Sequence, residues 1–568
     1  MRKQTKIAAI VSAAALLAIG ASMTSFAATG WQEEDGSWVY YNKNGEQVTD
    51  TWEKSGANWF YLGEDGTMAT DALIEYNDNY YYVDANGAMV TERWIAIDNE
   101  DAGEDDEPDV HWYYFQANGK ALKKGDNHTT IFKKTLPGGK TYAFDSDGRM
   151  LYGWVRYSDG ERQTGDTAWQ EAEYYFGDEN DGAMTVGWRE IAITDDNAED
   201  AQPGDSFWDE DQVRWFYFKS SGKKENGSNN KDGEGDGKYN KKINGKKYGF
   251  DQWGRMVADW YSASAGEATQ GDAEYTKTFM YFSSPEDGAR HSKSWFKVVP
   301  GYYLYQGKYE DGDDYWYYAD GEGKLYASII KSIKGKKYAF DSYGRMKKGL
   351  QLMKVDSSNN IEDIYDSDDK RGHRYETETE FKETALWAQE NDYAFYFFSN
   401  DEDHDGSMKT GNQTINIDGD NFSFKFEKSG ANKGKGYNGI DKDKHKVYLG
   451  GMLFKADSDD KVKILSVKKV DDDSENRKVE EKTVSEFLTE VGAGDPIQNT
   501  QGKTISVNGV NVKKDASYYE WKYDDYKSDK YVLVNTSGAM VKSGSKKDGD
   551  GYKIHIKDYN IVMITVED

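Results

Sequence analysis

Gly30-Trp31 is followed seven residues later by Trp38, which opens the run Trp38-Val-Tyr-Tyr41, and Gly45 stands seven residues beyond Trp38. The next stretch keeps the beat with Trp52, the run Trp59-Phe-Tyr61, Gly66 and Met68. A third has Leu73 in place of the first Trp, then Tyr80-Tyr-Tyr82, Gly87 and Met89. The Gly-x-Met step returns at Met150, Met184, Met256, Met346, Met408 and Met540, so eight of the 14 methionines sit two residues after a glycine in the same context. A period of about 20 residues limits the fold severely, because so short a unit cannot bury a core alone and must stack on its neighbours.

A longer beat lies over the short one. Lys140-Thr-Tyr-Ala-Phe-Asp-Ser-Asp-Gly-Arg-Met150, Lys246-Lys-Tyr-Gly-Phe-Asp-Gln-Trp-Gly-Arg-Met256 and Lys336-Lys-Tyr-Ala-Phe-Asp-Ser-Tyr-Gly-Arg-Met346 are three copies of one unit. A Trp-rich unit precedes each, and a unit with an extended turn follows. The chain therefore divides into short repeats at 28–93, three-hairpin modules at 94–187, 188–294 and 295–411, and a divergent β-rich region at 412–568. Acidic inserts at 98–109 and 194–211 account for the unequal module lengths as solvated loops.

Aromatic runs ending in a polar Asp/Asn/Gly group predict a strand entering a turn. Asp65-Gly66, Asn86-Gly87, Asn118-Gly119 and Asp147-Gly148 are expected to supply the positive φ of tight hairpin turns. A lone hairpin is marginal in water, so each is expected to bury its rings against the next. Tandem aromatics place side chains on both strand faces, and Met fills the gap against the rings. Helical stretches are expected to be few, with Thr384–Gln389 and Val484–Val491 the best candidates. The class is all-β, a solenoid of tandem hairpins with a divergent C-terminal region.

Composition removes several alternatives. The 83 aromatic residues (17 Trp, 43 Tyr, 23 Phe) beside only 6 Pro argue against disorder. The absence of Cys excludes disulfides and cysteine metal sites. A net charge of -30 disfavours nucleic acid. At the N-terminus, Arg2, Lys3 and Lys6 precede an apolar run from Ile7 to Ile19, and then Ser25-Phe-Ala27. This layout predicts a secretory signal peptide, residues 1–27, cleaved after Ala27. Its apolar core falls short of the ~20 residues a membrane span needs. Cleavage takes away three positive charges and leaves -33. No later integral membrane segment is expected, nor a sorting tail for covalent wall attachment.

The spacing Gly-Trp, seven residues to a Trp-aromatic-Tyr strand, seven to Gly and two to Met resembles the choline-binding or cell-wall-binding repeat of Gram-positive surface proteins. The Lys-Lys-Tyr-Ala-Phe units are similar to the short repeats of glucan-binding proteins and clostridial toxin tails. The resemblance spans about 30–411. It implies a superhelix of hairpins holding ligands between consecutive units on two or three aromatics and a Met. Carried over, the candidate seams are Trp31, Trp38, Tyr61 and Met68; Trp52, Trp59, Tyr82 and Met89; and Trp94, Trp112, Tyr142 and Met150. Trp188 and Trp215 with Tyr248, and Trp295 and Trp316 with Tyr338, are the same seam in later modules. Departures are Leu73 and Tyr80 in the third unit, and units led by Lys140, Lys246 and Lys336 with no strand Trp.

Trp and Tyr faces attract a quaternary ammonium by about 0.5–2 kcal/mol per ring and also stack on sugars, so rings alone leave choline and glycan open. The same rings also serve as glue between hairpins. Enzyme signals are mostly empty. No His-Glu-x-x-His or Gly-x-Ser-x-Gly occurs, and Gly502-Lys-Thr504 lacks the earlier glycine of a phosphate loop, where Ile497 stands. Asp401-x-Asp403-x-Asp405-Gly406 starts like a calcium loop, but its twelfth position is Asn412. No metal or cofactor is called for. The reading is a secreted, non-catalytic protein of the cell wall or surface, bound non-covalently to choline-substituted teichoic acid or to glycan. Its rivals are a carbohydrate-binding adhesin or lectin of toxin-tail type, a structural spacer displaying the C-terminal region, and an enzyme with a site after residue 412.

Overall fold

A computed structural model describes residues 29–103, 107–195, 213–227, 240–262, 269–365, 374–400, 405–469, 477–521 and 530–566. The signal segment and parts of both acidic inserts lie outside the described residues. Those described fall into two compact units, one holding residues up to 195 with 213–227 and 250–255, the other holding 240–249 and 256–566.

The first unit is built from consecutive antiparallel hairpins. Gly30–Glu34 pairs with Ser37–Tyr41, placing Trp31 opposite Tyr40 and Glu33 opposite Trp38. The two residues between them, Asp35 and Gly36, have φ of 50° and 83°, the turn whose twist matches that of the strands. Thr51–Ser55 with Asn58–Leu62 and Ala72–Tyr76 with Asn79–Val83 repeat the pairing. Arg93–Asp98 with Val110–Phe115, and Gly187–Ala192 with Val213–Phe218, keep the register, and each acidic stretch falls between the paired strands.

The Asp-Gly and Asn-Gly pairs expected to close hairpins do something else. They follow the second strand and carry the chain to the methionine. In that loop Asp84 Oδ1 accepts the backbone N–H of Asn86 at 2.9 Å and of Ala88 at 3.0 Å, while Gly87 holds φ +78°. Asp145 does the same for Asp147 and Arg149. The loop ends by linking hairpin to hairpin: Met89 N–H donates to Trp59 O at 2.8 Å. Equivalent links run from Met68 to Trp38 (2.7 Å), Ala121 to Tyr80 (2.8 Å), Met150 to Trp112 (2.7 Å) and Lys224 to Glu173 (2.6 Å).

The second unit carries the same link from Met346 to Trp316 (2.8 Å), Met408 to Lys337 (2.7 Å) and Met540 to His445 (2.9 Å). The lysines that lead the strands without Trp form one recurring ion pair to the Asp before the following turn glycine. Lys140 meets Asp181 at 2.8 Å, Lys246 meets Asp287 at 2.9 Å and Lys336 meets Asp405 at 3.2 Å.

A four-stranded sheet joins Arg162–Gln163, Gly153–Val155, Tyr174–Asp178 and Asp181–Met184 in the first unit, and beyond residue 340 sheets of three and five strands follow. Gly349–Val355 pairs with both Ile361–Tyr365 and Ala394–Phe398, and Gly411–Ile417 opens a five-stranded sheet. A second five-stranded sheet runs from Ile497–Gln498 to Asn560–Val566. Helix Glu378–Glu390 is longer than its predicted half because Thr377 and Glu380 cap it reciprocally. Its Phe381, Ala385 and Ala388 join Leu352, Tyr365, Phe395 and Phe424 in one core. Helix Val484–Glu490, capped likewise by Thr483 and Glu486, packs Phe487 against Ile464, Leu533 and Ile564. The chain is thus an all-β solenoid of stacked hairpins that ends in broader sheets.

Candidate functional site

Every seam forms where one face of a hairpin meets the opposite face of the next. Strand alternation puts the first-strand Trp and the first and third residues of the aromatic run on one face, and the second and fourth on the other. Trp31 therefore packs on its cross-strand partner Tyr40 at 5.3 Å and on Phe60 of the next hairpin at 5.4 Å. Trp52 packs on Tyr61 and on Tyr81, both at 5.2 Å.

These contacts correct two of the sequence groupings. Tyr61 does not share a seam with Trp31 and Trp38; it stands opposite Trp52 in the following one, and its hydroxyl donates to Asp50. Tyr82 is likewise one seam later, opposite Leu73 and 6.1 Å from Phe115, with its hydroxyl donating to Asp71. Phe60 and Tyr81 are the rings that sequence reasoning missed, although the two-residue strand period pointed to them. In the modules that begin at Trp94 and Trp295, Tyr142 and Tyr338 do stand against the preceding Trp.

Trp94 lies 4.9 Å from Tyr142 and 5.7 Å from Phe144, and Trp112 and Met150 belong to the same cluster. Trp188 and Trp215 stand 6.4 Å apart with planes at 81°, and Phe250 stacks on Trp188 at 5.8 Å. Tyr248 is in the other unit, so this seam is described only on its Trp side. Within the second unit, Trp295 and Trp316 are 6.4 Å apart at 83°, and Tyr338 lies 4.8 Å from Trp295. The two indoles meet at right angles, and the next hairpin brings Tyr338 against Trp295 and links Met346 to the Trp316 backbone. Burial raises the Tyr142 and Tyr338 hydroxyl pKa values, so both rings are neutral at ordinary pH.

Exposure differs along the seams. Trp31, Trp38, Trp52, Trp94, Trp112, Trp188, Trp215, Trp295 and Trp316 are half-buried, as are Met68 and Met89, whereas Trp59 is 42% exposed. Met150 and Tyr338 are buried. The indole N–H groups of Trp31, Trp52 and Trp112 are sealed from solvent without an acceptor, a cost of about 1–3 kcal/mol each. The first-strand indoles of Trp31 and Trp52 and the second-strand indole of Trp112 thus serve the stack, whereas Trp59 shows a face to water.

Where the Trp pair is absent the seam is remodelled. Lys133 stands opposite Ala143, as Trp94 stands opposite Tyr114, and its Nζ lies 4.2 Å from the Tyr174 ring centre. Among the described residues no group of three or more His, Asp or Glu is placed to hold a metal ion. Asp401 and Asp403 lie outside them, and Asp405 is paired with Lys336. No helix among the described residues is long and apolar enough to cross a membrane.

Repeated seams of Trp, Tyr and Met between stacked hairpins define an aromatic-seamed β-solenoid. Residues 49–94 match the family model of the choline-binding repeat, so this stretch is a copy of that repeat and the resemblance drawn from its spacing holds. No curated protein matches the chain. Among solved structures, the modular autolysin LytC of Streptococcus pneumoniae is similar at 17% identity over 57% of this chain and 54% of its own, with a TM-score of 0.29. The chain thus spans about half the length of that autolysin. Choline-binding protein F of Streptococcus pneumoniae is 16% identical over 75% of this chain and 98% of its own, TM-score 0.21. The choline-binding domain of CbpL from the same organism is 17% identical over 56% and 98%, TM-score 0.17.

Proposed function

We propose that the protein is a secreted, non-catalytic component of a Gram-positive cell surface that holds choline-substituted wall polymer non-covalently in its Trp-pair seams. After removal of residues 1–27, the seams at Trp31/Trp38, Trp52/Trp59, Trp94/Trp112, Trp188/Trp215 and Trp295/Trp316 are the ligand positions. The modules 94–187, 188–294 and 295–411 space them along the chain. The observation that carries this reading is the right-angled Trp295–Trp316 corner with Tyr338 on its third side. Its walls are aromatic rings, which suit a trimethylammonium group, and at about 1.4 kcal/mol per ring three rings correspond to a Kd of about 1 mM. The acidic balance of 102 carboxylates against 72 basic residues favours a cation over a polyanion.

Titration of the secreted chain with choline, set against a panel of neutral glycans, tests the reading through Trp emission. Quenching by choline in the millimolar range is expected. A response to glycan alone would replace the reading with the lectin, and silence toward both would leave the seams as structural spacers.

A further inference from the structure

The seam that follows Trp154 keeps the plan of the Trp-pair seams with two positions changed. Trp154 lies opposite Tyr175 and packs on it at 4.9 Å and on Phe216 of the next hairpin at 5.3 Å. The inter-hairpin link identifies the other two positions. Lys224 N–H donates to Glu173 O at 2.6 Å, as Met68 does to Trp38 and Met346 to Trp316. Glu173 therefore stands where the second Trp stands elsewhere, and Lys224 stands where the methionine does.

Lys224 is 3% exposed, and its Nζ lies 4.9 Å from the Trp154 ring centre and 5.6 Å from that of Phe216. Its Nζ also donates to the Trp169 carbonyl. The stem does the methionine's work, since a Cβ added at Gly254 would meet Lys224 Cγ and Cδ at 3.0 Å. The amino group does the work of a ligand, lying over the Trp154 and Phe216 rings. We propose that Lys224 is the built-in occupant of the Trp154 seam, and that removing its amino group exposes a quaternary-ammonium site lined by Trp154, Tyr175 and Phe216. This rests on the proposed choline reading of the Trp-pair seams and adds to it a rule for which seams are closed to ligand.

The test is a choline titration of the full chain labelled with 15N-tryptophan, comparing wild type with Lys224→Met. The Trp154 indole signal is assigned by its loss in Trp154→Phe, and Trp59 and Trp316 are followed as internal references. Expected is movement of Trp59 and Trp316 in both proteins and of Trp154 only in Lys224→Met, at a choline concentration within about tenfold of that for Trp316. If Trp59 and Trp316 respond but Trp154 stays still in the variant, or moves equally in wild type, the occupant proposal is overturned while the choline reading stands. Movement of Trp154 alone in the variant keeps the occupant and removes the choline reading of the Trp pairs. Silence everywhere removes both. Should Lys224→Met fail to fold, Lys224→Ala, which empties the seam, is read by the same outcomes.

Discussion

Gly87 lies directly over Met68: a Cβ built on it would come 2.7 Å from Met68 Cε and 2.8 Å from Sδ. The same superposition puts Gly119 over Met89, Gly182 over Met150, Gly222 over Met184, Gly288 over Met256, Gly406 over Met346 and Gly434 over Met408. The glycine and the methionine of the repeat are therefore two halves of one contact between neighbouring units. Gly87→Ala is expected to cost about 1–3 kcal/mol, from overpacking and from φ +78°. Denaturant melts should show Gly87→Ala/Met68→Ala recovering part of the steric share relative to the sum of the single changes. Simple additivity would mean the two residues do not press on each other.

Trp52 and Trp59 belong to one hairpin and should behave oppositely. Trp52 is half-buried between Tyr61 and Tyr81, so Trp52→Ala should cost about 3–5 kcal/mol. Trp59 is 42% exposed, with Lys54 Nζ 5.7 Å from its ring centre. Trp59→Ala should change stability by under about 1 kcal/mol yet weaken choline binding at that seam. Thermal unfolding beside a choline titration separates the two, and equal unfolding would make Trp59 part of the core.

Burial pulls the Lys224 ammonium down from the ordinary lysine range to about 7, against the favourable pull of Asp251 and Glu173. Between that value and 10.5 the unfolded chain keeps a proton that the folded chain has released, so stability rises with pH across this window. The slope is at most about 1.4 kcal/mol per pH unit. Lys224→Met should flatten the rise between pH 7 and 10, measured as denaturant midpoints in a pH series. An unchanged slope would place Lys224 in water.

Asp405 is held down to about 2 by hydrogen bonding from Ser407, with Lys336 and Lys409 adding to it. A lowered carboxylate gives stability that is present above 3.8 and lost as pH falls through about 2. Asp405→Asn should remove this acid-sensitive leg, worth at most about 2 kcal/mol and less after solvent screening. Acid titration of the two proteins by circular dichroism checks it.

The repeat spacing made the hairpins legible because strand, turn and stacking contact all recur within about 20 residues, where local propensity and period agree. The helix beginning at Glu378 was half seen, since its first turn is polar and its burial depends on Phe395 and Phe424 across the sheet. The Asp-Gly and Asn-Gly pairs expected to close hairpins are turns, as their residues require, but they lie after the second strand rather than within the hairpin. The two-residue turn that closes the first hairpin is Asp35-Gly36, and the later pairs build the loop that brings methionine back to the previous hairpin.

By itself, the chain's order of residues determined that short aromatic hairpins follow one another and that each needs the next to cover its rings. Only the tertiary structure decided which ring meets which. A one-residue step along a strand reverses the face a side chain shows, so Phe60 rather than Tyr61 meets Trp31, and no spacing along the chain records the partner's register. The same holds for Lys224, whose place over Trp154 is set by a backbone link to Glu173 from a hairpin formed far along the chain.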